Sequence, residues 1–250
     1  MEQHSAACCS IPPVVVKGYE PKGKYEDIGG LKTYVVGPSN ATKAILLIYD
    51  IFGFFPQTLQ GADILSKANK HQEYAVFVPD WFEGKPADIS WYPPQNDEQK
   101  QKLGAFFGAQ GAPPKTAARV KPYLQEVSKK YPSIKEWGTL GFCWGGKIIP
   151  LTAGGDTPFK AAVLAHPAML DASDAENIKI PVLVLPSQDE PADQVSKFEA
   201  ALKGPKKVEA FPDQVHGWMA ARGLPEGDEK AKKEYERGYS LTVQWFDKHL

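Results

Sequence analysis

Cysteine, methionine and arginine are scarce in this 250-residue chain, with three Cys, three Met and arginine only at Arg119, Arg222 and Arg237. Cys8, Cys9 and Cys143 make an odd set with two adjacent members, a poor disulfide framework, so a reducing, cytoplasmic setting is expected. Charge of one sign is also missing: 29 basic and 30 acidic residues leave a formal net charge of −1, no footprint for nucleic acid or an anionic membrane. No apolar run approaches the ~18 residues that a membrane span needs. The opening string MEQHSAACCSIPP has neither the basic nor the apolar region of a secretory signal, and the closing Asp247-Lys248-His249-Leu250 matches no targeting tail. No G-x-G-x-x-G or phosphate-loop string occurs, so no nucleotide cofactor is expected. His and Cys do not cluster at ligand spacing, so no metal is expected. A small-molecule substrate is the partner that these absences leave, bound by a monomer or homodimer.

What remains has the composition of an ordinary globular domain, 42% hydrophobic and 24% charged, long enough to bury a core without staples. Residues 1–24, rich in Pro, Gly and small side chains, read as an extended arm, and 25–250 as one domain. Leu31–Val36 reads as a strand of a β-hairpin whose turn is Gly37-Pro38-Ser39-Asn40. The continuous apolar runs Ala44–Tyr49 and Tyr74–Val78 fit strands covered on both faces of a mostly parallel sheet. Further strands are expected at Trp137–Phe142, Ala161–Ala165, Val182–Pro186 and Lys207–Phe211. Helices are expected at Leu59–His71, Thr116–Lys130, Cys143–Thr152 (with Pro150 inside), Asp193–Leu202 and Glu229–His249. Residues 80–116 mix Trp, Pro, Gly, Gln and Asp and read as an excursion over the sheet with a short helix near Asp97–Ala109. Strand and helix alternate, which predicts an α/β, doubly wound sheet with helices on both faces.

The string Leu140-Gly141-Phe142-Cys143-Trp144-Gly145-Gly146 follows a predicted strand and opens a predicted helix. That is the nucleophile-elbow pattern G-x-nucleophile-x-G, with Cys143 as nucleophile. A turn this sharp crowds the backbone on either side, where a Cβ would strike the neighbouring strand or helix. It lifts the sulfur above the carboxyl ends of the strands, where such sheets bind ligands, and a helix N-terminus favours the thiolate. A tight turn around an inert buried thiol is the competing reading of the string alone. A nucleophile needs a base, and the base an orienting acid. Asp189 follows one later strand and His216 the next, in the order nucleophile, acid, histidine that the pattern demands; Glu190 and Asp193 compete with Asp189 for the acid. His166 also sits at a strand's carboxyl end, but it precedes the acid and reads as a core or supporting residue. The oxyanion donors would be the N–H groups of Trp144 and Ile51.

With Asp50-Ile51-Phe52-Gly53, Pro79-Asp80-Trp81-Phe82, Gln188-Asp189 and His216-Gly217-Trp218 added to the elbow, the sequence from about Gly30 onward resembles the dienelactone hydrolase family. The resemblance implies an α/β-hydrolase fold. It also implies cleavage of a lactone or small ester by a Cys143–Asp189–His216 triad through an acyl-enzyme. A non-catalytic scaffold or binding module that retains the elbow is the alternative. Asp50 stands where the family typically carries a Glu beside the cysteine, one methylene shorter. Arg222 is expected to meet a substrate carboxylate, with Lys85, Lys100 or Lys102 as weaker charges from the excursion. Phe54, Phe55, Trp81, Phe82, Trp91, Tyr92 and Trp218 crowd the loops around the site and suggest an aromatic or apolar substrate. Of these, Phe54, Trp81, Phe82 and Trp218 join Asp50 and Arg222 as the expected substrate-binding set.

Overall fold

A computed structural model of the chain describes residues 18–67, 73–224 and 227–250. Cys8, Cys9, most of the expected arm and the last residues of the helix expected to end at His71 lie outside them. Among the described residues eight strands form one sheet in the order β1-β2-β4-β3-β5-β6-β7-β8. The strands are β1 Lys24–Ile28, β2 Leu31–Val36, β3 Lys43–Ile48, β4 Ala75–Pro79, β5 Glu136–Phe142, β6 Phe159–Ala165, β7 Val182–Leu185 and β8 Lys206–Val208. β1 and β2 are antiparallel to their neighbours, and from β4 to β8 every pairing is parallel. Helices α1 Pro56–Lys67, α2 Asp97–Gly108, α3 Pro113–Lys130, α4 Gly145–Thr152, α5 Ala172–Ala175, α6 Ala192–Ala201 and α7 Glu229–His249 fill the connections.

The central strands are buried because their residues leave no polar face. Ala44, Ile45, Leu46, Leu47 and Ile48 of β3 are all fully buried, as are Val76, Phe77 and Val78 of β4. The helix boundaries follow capping chemistry: Asn96 accepts the Gln99 N–H at 2.9 Å to open α2, and Asp228 accepts the Ala231 N–H at 2.9 Å to open α7.

The hairpin is a correction. β2 turns back through Gly29-Gly30 onto β1, whereas Gly37–Asn40 connects β2 to β3, which it does not pair with. Strand β1 therefore falls where the arm was expected to end. The four-residue α5 had no periodicity to announce it.

Candidate active site

β5 runs in the middle of the sheet and ends at Phe142, immediately before the sharp turn. Cys143 has φ +50°, a left-handed conformation that costs an L-residue about 1–2 kcal/mol and that persists where a site requires it. The turn is locked from three sides: Cys143 N–H donates to the Ala165 carbonyl at 3.2 Å, and its own carbonyl accepts from Gly146 and Ala168 at 3.0 and 2.9 Å. The flanking glycines are there for space. A Cβ on Gly145 would lie 2.1 Å from the Ile48 carbonyl oxygen, on Gly141 2.4 Å from the Gly145 oxygen, and on Gly146 2.7 Å from Pro167. Trp144 anchors the first turn of α4, its indole N–H donating to the Gly111 carbonyl at 2.8 Å.

His216 lies in the loop after β8. Its Nδ1 is 2.6 Å from Glu190 Oε1, with side chains only 3% and 4% exposed. A bond this short between a ring nitrogen and a carboxyl group, shielded from water, favours the tautomer with its proton on Nδ1 and anchors that one atom of the ring. Glu190 is itself held, accepting the Ser187 N–H on its other oxygen at 2.5 Å. Asp189 does not face the ring: its carboxylate accepts the backbone N–H of His216 at 2.7 Å. The carboxylate that meets the imidazole is thus Glu190 and not the expected Asp189. The turn from Ser187 points Asp189 at the chain and Glu190, one residue on and one methylene longer, at the imidazole. Asp193, the other competitor, is on α6, exposed and paired with Lys197 at 3.0 Å.

Asp50 is completely buried, and its oxygens accept from Phe52 N–H at 2.9 Å and Ala221 N–H at 3.3 Å. It thus ties the loop after β3 to the loop that carries His216. Burial raises its pKa against the opposing pull of those two N–H groups, Arg222 and His216. Ile51 follows in the same loop, and its carbonyl accepts Ala87 N–H at 2.9 Å, strapping the excursion to the site. Arg222 is buried, donates to the His216 carbonyl at 3.0 Å and stands 5.7 Å over the ring of Tyr92. Tyr92 in turn meets Phe52 edge-on at 5.8 Å.

The aromatic residues expected to bind substrate pack against other rings. Trp81 lies against Tyr123 of α3, at 5.4 Å, and Phe82 fills the space between Trp144, at 4.7 Å, and Phe106, at 5.0 Å. Phe54 turns toward Tyr25 at 5.4 Å, and Trp218 lies tilted against Phe211 at 4.1 Å. Their large ring areas are better covered by the excursion and by α7 than left facing a cleft. Lys85 is exposed, while Lys100 and Lys102 pair with Asp97 and Glu98 on the outer face of α2. Tyr92 is one of the seven aromatics expected around the site, and only the fold sets it beneath Arg222.

Behind the elbow stands His166, fully buried, stacked on Phe142 at 5.6 Å and edge-on to His216 at 5.2 Å. No group of three or more His, Cys, Asp or Glu among the described residues is arranged to hold a metal ion. No helix among them is long and apolar enough to cross a membrane.

A mixed sheet covered by helices on both sides, with an elbow at the end of a central strand, defines an α/β-hydrolase fold. The chain belongs to the dienelactone hydrolase family, whose sequence pattern matches residues 31–250. It is 33% identical over 250 residues to an uncharacterised AIM2 family protein of Schizosaccharomyces pombe, covering 96% of this chain and 98% of that one. A carboxymethylenebutenolidase homolog of Homo sapiens is 28% identical over 251 residues, covering 93% of each. The dienelactone hydrolase structure from Anabaena variabilis superposes with a TM-score of 0.66 at 16% identity, over 92% of this chain and 98% of that one.

Proposed function

We propose that the chain hydrolyses a lactone or small activated ester, with Cys143 as nucleophile, His216 as base and Glu190 as the acid that orients it. The observation that carries this reading is the buried 2.6 Å contact between Glu190 and His216, beside the strained turn that bears the only cysteine among the described residues. His216 takes the thiol proton as Sγ attacks the acyl carbon, and the N–H groups of Trp144 and Ile51 meet the oxyanion. The C–O bond to the leaving alcohol breaks as His216 returns the proton to that oxygen. Water then attacks the thioester, gives a proton to His216, and the acid leaves as the S–C bond breaks and the thiol is reprotonated. Asp189 serves the base differently, by pinning its backbone.

Three variants test the assignment against an activated aryl ester. Cys143→Ala is expected to abolish turnover and the covalent acyl adduct seen by mass spectrometry. Glu190→Gln should lower kcat by about 100-fold or more. Asp189→Asn keeps an acceptor for the His216 N–H and should lose less than about 10-fold. Undiminished turnover in Cys143→Ala rejects the mechanism; the reverse order of the last two returns the acid to Asp189.

For the substrate, a buried guanidinium over Tyr92 suits an ester that carries a carboxylate near an unsaturated or aryl group. Arg222→Met should raise KM about 10-fold more for an anionic ester than for a neutral one of equal size. Equal rises for both would leave Arg222 with only its loop-holding bond.

A further inference from the structure

His166 is an imidazole in a slot that offers its ring no hydrogen bond. It sits at the carboxyl end of β6 with φ +38°, its N–H bonded to the Leu185 carbonyl at 2.9 Å, so its backbone is committed to the sheet edge. The ring is completely buried, and neither ring nitrogen has a hydrogen-bond partner. Full burial keeps substrate away from it, which leaves the two rings that it touches. One is Phe142, nearly parallel at 13°, next to the nucleophile; the other is His216, edge-on at 69°. His166 therefore fills the gap between the elbow and the base.

We propose that His166 is a positioning residue: its uncharged imidazole is the wall that holds the His216 ring at the Cys143 turn. Glu190 fixes His216 at Nδ1, but a ring held at one atom can still rock about that bond, and a second ring set across its plane stops the rocking. The wall must stay neutral to work, because a charged imidazole would repel the imidazolium that His216 becomes. Burial pushes the His166 imidazole well below its usual value, and the neighbouring His216 and Arg222 push the same way. The charged groups around the pair are Arg222 and Asp50 from the loops after β8 and β3, and Glu190 from the loop after β7.

This rests on the hydrolase reading, so the test adds two readouts that need no ester substrate. His166→Ala is expected to lower kcat about 100-fold with KM within about threefold. It should also move the pH profile of Cys143 alkylation by iodoacetamide toward that of an ordinary thiol, and broaden the downfield proton resonance of the His216–Glu190 bond. His166→Phe keeps a ring in the slot and should restore all three to near wild type. If the phenylalanine overpacks and the protein melts early, pyrazole added to His166→Ala replaces it as the rescue. An unchanged kcat, profile and resonance in His166→Ala overturns the proposal. So does a folded His166→Phe as slow as the alanine variant, because the ring nitrogens would then be doing chemistry. Loss of the resonance in His166→Ala, in a protein whose wild type cleaves no ester, would sink the hydrolase reading and leave the positioning role standing.

Discussion

Neighbouring residues in the site differ in what a single methylene or a single turn of the chain does to them. Asp189 and Glu190 follow the same strand, carry the same charge and lie next to each other, yet one holds a backbone N–H and the other a ring. Sequence spacing narrows the candidate acid to these two and Asp193, because the loop after β7 must face the loop after β8. It does not select between them, because the rotation of a four-residue turn is decided by bonds such as Ser187 N–H to Glu190. The elbow is legible for the opposite reason: its glycines answer steric demands that no other residue meets. His166 gives a test at this scale. It is held neutral in the folded protein, whereas the unfolded chain binds a proton near 6.5. The unfolded state therefore gains protons first on acidification, and stability falls as pH drops below about 6.5, by roughly 1.4 kcal/mol per pH unit for one proton. Urea unfolding at pH 7.5 and 5.5 should show this slope in the native protein and a shallower one in His166→Phe.

Among the elements, the buried strands were the most readable, since a run such as Ala44–Tyr49 has no polar face to expose. The pairing of β2 was not. A turn signal at Gly37–Asn40 and another at Gly29-Gly30 both flank the same strand, and only the apolar β4 beside it settles which neighbour β2 takes. Helix α7 shows how an element far from the chemistry shapes it. Tyr239 Oη donates to the Met219 carbonyl at 3.1 Å, Gln57 of α1 donates to the Gly223 carbonyl at 3.1 Å, and Trp218 lies against Gly238. The loop beyond His216 is thus clamped between α1 and α7. A Cβ on Gly238 would lie 2.4 Å from the Trp218 ring, so Gly238→Ala should push that ring and the loop toward the site. Overpacking of this kind costs about 1–3 kcal/mol, and thermal melting should show it together with a fall in kcat. An unchanged melting temperature would mean that the helix shifts freely, and that the clamp is looser than the contacts imply.

The whole molecule is a parallel sheet whose two antiparallel strands at one edge are tied down by charge and by hydroxyl groups. Glu26 of β1 meets Lys24 and Lys130, both at 2.6 Å, and accepts from Tyr131 at 2.8 Å. Partial burial alone would raise its pKa; the bonds from Lys130, Lys24 and Tyr131 outweigh that and hold it at about 2, against an ordinary 4.5. The folded state therefore keeps its charge where the unfolded chain has become protonated. The stabilisation is complete above about 4.5 and is lost as pH falls toward 2. Both lysines are solvent-facing, so the contribution is at most about 1 kcal/mol per pair. Glu26→Gln should lower stability at pH 7 and leave it unchanged near pH 2, in acid titrations followed by circular dichroism. Equal losses at both values would assign the effect to packing. At the same edge Tyr19 and Tyr34 both donate to the buried Asp63 of α1, which fastens the segment before β1 to the first helix.

The loops after β7 and β8 are stitched to one another before either reaches the chemistry: Phe211 N–H donates to Pro186, and Gln188 N–H to Gln214, at 2.8 and 3.0 Å. Acid and imidazole thus ride on a single cooperative patch of backbone. Thermal opening of that patch would release Glu190 and His216 together, so the proposed relay is either complete or absent, without a half-assembled state.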